Sequence, residues 1–138
     1  MNGPIEVELP RDASAAARAR DHVAGLLAAE FSDPELDRAR LLVSELATNA
    51  VRHGQGMITL RARIDRDRLL VEVIDEGSGF ERAIRRTDRH LGGWGLTVVD
   101  AEASRWGVHE GTTHVWFEIE RAGPRIGPDK NPLTTDLA

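Results

Sequence analysis

Glu45-Leu46-Ala47-Thr48-Asn49-Ala50-Val51-Arg52-His53, followed by Gly54, is the stretch on which the reading of this chain turns. It sets a carboxylate and a carboxamide four residues apart, hence on one face of a helix, with Arg52 and His53 extending that face. Asparagine inside a helix costs about half a kcal/mol or more relative to alanine, so Asn49 beside an apolar stripe asks for a reason. Taken alone, the pair also fits the solvent face of an amphipathic helix. Upstream, Asp33 as N-cap with Pro34 at the first helical position is a start signal, and Glu35 and Asp37 suit the positive end of the dipole. The helix is predicted to run to His53, with Gly54 as a left-handed stop. Its buried stripe comprises Leu36, Ala39, Val43, Leu46 and Ala50.

Working outward, Ile5, Val7 and Leu9 alternate with Glu6 and Glu8 as a half-buried strand that Pro10 ends. Asp12 or Ser14 caps the next helix, where Ala19, Val23, Leu26 and Leu27 repeat at helical spacing. After Gly54, Ile58, Leu60, Ala62 and Ile64 form a strand. A tight Arg66-Asp67 turn leads into Leu69, Val71 and Val73. Side chains two apart share a face, so Asp75 points with Leu69, Val71 and Val73 toward the helices. Residues 80–91 show no period and read as a mobile, Arg-rich loop. Leu96, Val99, Ala103 and Trp106 space a third helix. Short strands near Trp106 to His109 and from His114 to Glu120 follow, with Val115, Phe117 and Ile119 inward. Trp94, Trp106 and Trp116 read as packing residues. The element order implies an α+β, two-layer sandwich with three helices on one face of a mixed, mostly antiparallel sheet.

At 138 residues the chain reads as one domain over 1–121, able to bury roughly 70% of its unfolded surface, followed by a disordered tail over 122–138. It has no cysteine, which removes disulfides and thiolate chemistry and suits a reducing, cytoplasmic setting. A net charge of −5 argues against nucleic-acid binding, although all the basic residues except Lys130 are arginine. No signal peptide is expected from Met1 to Asp12, and no apolar run approaches the ~20 residues of a membrane helix.

Two further stretches carry chemistry. In Asp75-Glu76-Gly77-Ser78-Gly79 a carboxylate ends a strand, and two glycines let the backbone turn and a ligand approach. Such a carboxylate can accept from an exocyclic amine like that of adenine; an ordinary turn after a strand is the bland alternative. In Gly92-Gly93-Trp94-Gly95-Leu96, free N–H groups where a helix begins suit phosphate, as in many ligand-free loop–helix joints. The stretch is neither a Walker loop nor a dinucleotide fingerprint.

The order Glu-x-x-x-Asn, Asp-x-Gly-x-Gly, Gly-x-Gly-Leu resembles the Bergerat-type ATP-binding domain shared by gyrase, Hsp90, histidine kinases and MutL. Within that superfamily the chain is most similar to the single-domain anti-sigma factor serine/threonine kinases of bacteria. Val43-Ser44-Glu45 through Gly54, Asp75 through Gly79, and Gly93-Trp94-Gly95-Leu96-Thr97-Val98-Val99-Asp100 look like their three boxes. Arg105-Trp106-Gly107 and Thr113-His114-Val115-Trp116-Phe117 resemble actinobacterial members. The likeness covers roughly Ile5 to Arg121.

That resemblance implies roles. Asn49 would offer its side-chain oxygen to Mg²⁺, and Glu45 would be the general base. Asp75 would hold the adenine amine, and Gly77 and Gly79 would shape the base pocket. Gly93, Gly95, Leu96 and Thr97 would approach the phosphates of ATP. The sequence does not single out one of Arg82, Arg85, Arg86 and Arg89 for the γ-phosphate. The implied function is a Mg·ATP-dependent serine/threonine kinase that phosphorylates a small anti-anti-sigma protein competing with a sigma factor. The alternative is a nucleotide-gated binding module without transfer. The resemblance also suggests a homodimer, with the Ile5 to Leu9 strand as candidate interface.

Overall fold

A computed structural model of the protein describes residues 4–27, 30–77, 96–108 and 114–121. In chain order these form β1 (Ile5–Leu9), α1 (Ala15–Leu27), α2 (Asp33–His53), β2 (Ile58–Asp65), β3 (Arg68–Ile74), α3 (Leu96–Glu102), β4 (Arg105–Val108) and β5 (Val115–Glu120). The strands make one five-stranded sheet in the order β1-β2-β3-β5-β4. The expected two-layer α+β architecture is present. The sheet, expected to be mixed, is antiparallel at every described pairing. The expectations for the 80–91 loop and the 122–138 tail fall outside the described residues.

Period-2 patterning sets the sheet's two faces. Ile58, Leu60 and Ala62 of β2, Leu69, Val71 and Val73 of β3, and Val115, Phe117 and Ile119 of β5 are all buried under the helices. The opposite face is laced by charge: Arg61 lies between Glu6 and Glu72, and Glu118 between Arg68 and Arg105. His114 Nε2 lies 2.8 Å from Glu72 Oε2 on that face. The β2–β3 hairpin closes through Arg66-Asp67 as expected, with Arg66 at a φ of 62°.

The helices use the same logic with a longer period. Ala19, Val23, Leu26 and Leu27 of α1 and Ala39, Val43, Leu46 and Ala50 of α2 are buried, while Leu36 is only partly so. Arg20 Nη1 donates to Ser44 Oγ at 2.8 Å, tying the two helices together. At the start of α1 both candidate caps take part: Asp12 Oδ1 accepts from the Ser14 amide at 2.8 Å and from its hydroxyl at 2.6 Å. Those bonds hold the Asp12 carboxyl below its usual pKa range.

Four details differ from the sequence reading. The cap of α2 is Ser32, one residue earlier than Asp33. Its side chain accepts from the Glu35 amide, while Glu35 Oε1 takes the Ser32 amide at 2.8 Å, a reciprocal capping box. Gly54 does follow the helix, but in an extended conformation (φ −91°). The positive φ, 69°, is at Gly56. Trp106 lies on β4 and not on the third helix, which ends at Glu102; its Nε1 donates back to Asp100 Oδ1 at 2.9 Å.

Candidate functional site

Asp75 follows directly on β3 and continues its inward face, so it is held among core groups and only 9% exposed. A carboxylate there is costly unless hydrogen-bonded. Its Oδ1 accepts from the Gly77 amide at 2.7 Å, which folds the 75–77 segment into a turn around it. The Glu76 amide between them donates to Gln55 O at 2.7 Å, pinning this turn to the segment that leaves α2.

That segment explains why a glycine follows the helix. A Cβ on Gly54 would overlap the Asp75 carboxylate, and one on Gly56 would overlap the Glu76 side chain. Gly54 is therefore present for space and not for a left-handed turn; its N–H closes the helix onto Ala50 O at 3.0 Å. The exit of α2 and the end of β3 thus meet at the Asp75 carboxylate. Sequence reasoning gave Gly54 another job and gave Gly56 none. The spacing Gly54-Gln55-Gly56 after a helix was the available signal.

Asn49 precedes that junction by about a turn and is buried, 6% exposed. Glu45 lies one turn further up and is half-buried. At ~1.5 Å per residue the helix rises roughly 13 Å from Glu45 to Gly54. The two ends of that run therefore differ in chemistry: a fixed carboxylate suited to an amine at one, and a more accessible carboxylate at the other. At the lower end of α2, burial and then the Arg52 charge hold the His53 pKa below its ordinary 6.5.

Asp75 and Gly77 thus meet the exit of α2, and Asn49 and Glu45 lie successively further along that helix. Gly79, Gly93 and Gly95 lie outside the described residues. Leu96 and Thr97 open α3, which packs beside α2. Fit to a nucleotide rests on the Asp75 carboxylate, a buried acceptor seated in the space that the absent Cβ of Gly54 leaves to it. Fit to Mg²⁺ rests on the Asn49 carboxamide oxygen, a hard donor suited to that ion. Among the described residues no group of three or more His, Cys, Asp or Glu side chains could hold a metal, so such an ion would draw its other oxygens from phosphate and water.

Residues 9–119 match the family described as the histidine kinase-like ATPase domain. The chain belongs to that family. An anti-sigma F factor from Clostridium acetobutylicum is 35% identical over 79 residues, covering 49% of this chain and 55% of that protein. A serine-protein kinase RsbW from Staphylococcus epidermidis is 33% identical over 95 residues, covering 64% and 58%. One from Listeria innocua is 27% identical over 118 residues, covering 72% and 75%. The chain therefore spans little more than half the length of the first of these relatives. Among solved structures, the RsbU and RsbW domains of a Mycobacterium tuberculosis protein share the fold. The TM-score is 0.63 at 22% identity, over 86% of this chain and 32% of that one. Within the family, the resemblance to anti-sigma kinases read from the three boxes is the one these relatives bear out.

Proposed function

We propose that this protein is a Mg·ATP-dependent serine/threonine kinase of the anti-sigma type, whose substrate is a small anti-anti-sigma protein that competes with a sigma factor for it. The observation that carries the reading is the buried Asp75 carboxylate, locked by the Gly77 amide and given room by Gly54 at the exit of α2, the helix that carries Asn49 and the half-buried Glu45. Asp75 accepts from the adenine amine, a bond to a charged acceptor contributing about 1.5–3 kcal/mol. Asn49 and Glu45, further along α2, would face the triphosphate. Asn49 would help hold a magnesium ion, which would supply neutralisation of phosphate charge.

Phosphoryl transfer asks the protein mainly for position and charge. Glu45 takes the proton of the attacking Ser or Thr hydroxyl; the half-buried setting keeps the carboxylate in reach of a docking protein. By the family resemblance, Gly93, Gly95, Leu96 and Thr97 would serve the phosphates, and Gly79 would shape the base pocket with Gly77. No described helix is long and apolar enough to cross a membrane, in keeping with a cytoplasmic regulator. A homodimer through β1 belongs to the same reading. The test is incubation with γ-labelled Mg·ATP and candidate antagonist proteins. Label on a Ser or Thr of one of them is expected, and hydrolysis alone or no turnover would reject the kinase.

A further inference from the structure

The connection between β1 and α1 holds a side chain that neither the family boxes nor the proposed chemistry uses. Arg11 directs its guanidinium at main-chain carbonyls far along the chain. Its Nη1 donates to Ala50 O at 2.6 Å and to Val51 O at 3.1 Å, and its Nε donates to Gly56 O at 2.9 Å. The antiparallel register explains the meeting. Leu9 pairs with Ile58, and continuing that register by two residues sets Arg11 opposite Gly56. Pro10 stiffens the chain between Leu9 and Arg11.

The acceptors define what the contact does. Ala50 and Val51 lie in the last turn of α2, at the negative end of the dipole; the guanidinium adds a second donor to Ala50 O, which already accepts from the Gly54 amide, and gives one to Val51 O. Gly56 lies on the other side of the exit segment. One planar, charged group therefore brackets Gly54 and Gln55, the two residues that touch the Asp75 turn: Gly54 through the carboxylate itself, Gln55 through its carbonyl to the Glu76 amide. A fixed fork of donors can span these acceptors, whereas an ammonium acts as a single point.

We infer that Arg11 is a positioning residue for nucleotide: by clamping residues 50–56 it fixes Gly54 and Gln55, and through them presents the Asp75 carboxylate to the base. The inference rests on the proposed role of Asp75. A lone structural staple would stabilise the fold without any bearing on ligand affinity, and the two roles separate by experiment.

Arg11→Met keeps the aliphatic stem and removes every donor; Arg11→Lys keeps the charge and loses the fork. Mg·ATP is titrated calorimetrically into wild type and both variants at a temperature where circular dichroism shows each folded. Amide hydrogen exchange is followed at Gly54 and Glu76. We expect R11M to weaken ATP binding about tenfold, the scale of one charge-assisted hydrogen bond, and to speed exchange at both amides, with R11K recovering part of each. Wild-type affinity in R11M, whatever its melting temperature, overturns the inference, as does unchanged exchange at both amides. Should R11M not fold, R11K decides alone: unaltered affinity and exchange overturn the role. Absence of ATP uptake by the wild-type protein is a different failure. It removes the nucleotide reading itself, and the role of Arg11 with it.

Discussion

Gly54 and Asp75, far apart in sequence, are in such close approach that the carboxylate of one occupies the space where the other would carry a Cβ. Backbone conformation does not require glycine there, since φ is −91°. Gly54→Ala is compatible with that φ, but its Cβ would displace Asp75 and press on the Ala50 carbonyl oxygen, 2.8 Å away. We expect a loss of about 1–3 kcal/mol in urea unfolding from overpacking, and at least about a tenfold weaker ATP dissociation constant by calorimetry. An alanine variant that is destabilised yet binds ATP normally would show that Asp75 does not hold the base.

The capping box of α2 is a separate stability device, and its two bonds are unequal. Ser32 Oγ accepts from the Glu35 amide at 3.4 Å, whereas Glu35 Oε1 accepts from the Ser32 amide at 2.8 Å, with Glu35 only 3% exposed. Ser32→Ala should therefore cost about 0.5–1 kcal/mol. Glu35→Ala should cost more, about 1–3 kcal/mol, because it leaves a part-buried N–H without that acceptor. Glu35→Gln, which can still accept, should lie close to wild type. Chemical denaturation ranks the three, and an E35Q variant as unstable as E35A would contradict this account.

What the sequence could and could not disclose follows from the kind of signal each feature leaves. Alternation from Leu69 to Val73 fixed the face of Asp75 before any coordinates, because a strand's period is 2 and a buried face tolerates no slip. The α2 stripe was legible for the same reason at helical spacing. The cap was harder, because Ser32 and Asp33 are both good capping types and Pro34 suits the second helical position as well as the first; the reach of Glu35 decides between them. Gly54 was read as a conformational signal, since sequence alone cannot separate a glycine needed for φ from one needed for room. Arg11 left no trace at all, because its partners are main-chain carbonyls that every residue type carries.

His53 gives the protein a pH-dependent element at the exit of α2. Protonation there would suit the helix dipole, yet burial and then Arg52 oppose it, and the net effect lowers the pKa. The unfolded chain then binds the proton more readily than the folded one. Stability should be unaffected by this group well above its ordinary 6.5 and should fall as pH drops below that value. Urea midpoints for wild type and His53→Gln at pH 7.5 and pH 5.5 measure it. The variant should lose less between the two, and a larger loss in the variant would reverse the sign assigned here.

Glu45 decides between a kinase and a nucleotide-gated binder. It is half-buried, one turn from the buried Asn49, and among the described residues no side-chain hydrogen bond or ion pair gives it a structural role. A general base contributes in the transition state and little to ground-state affinity, so its removal separates rate from binding. Glu45→Ala should leave the ATP dissociation constant nearly intact and reduce transfer to the antagonist protein by roughly 10²–10⁴-fold. Asp75→Asn should do the opposite at low nucleotide, weakening ATP capture before any effect on the chemical step. In a module that only uses ATP to choose its partner, E45A would barely alter partner binding, while D75N would weaken it. Phosphorylation by E45A at the wild-type rate removes Glu45 as the base and returns the proton to another acceptor. Paired single-turnover and partner-binding measurements on the two variants therefore distinguish a phosphotransferase from a switch.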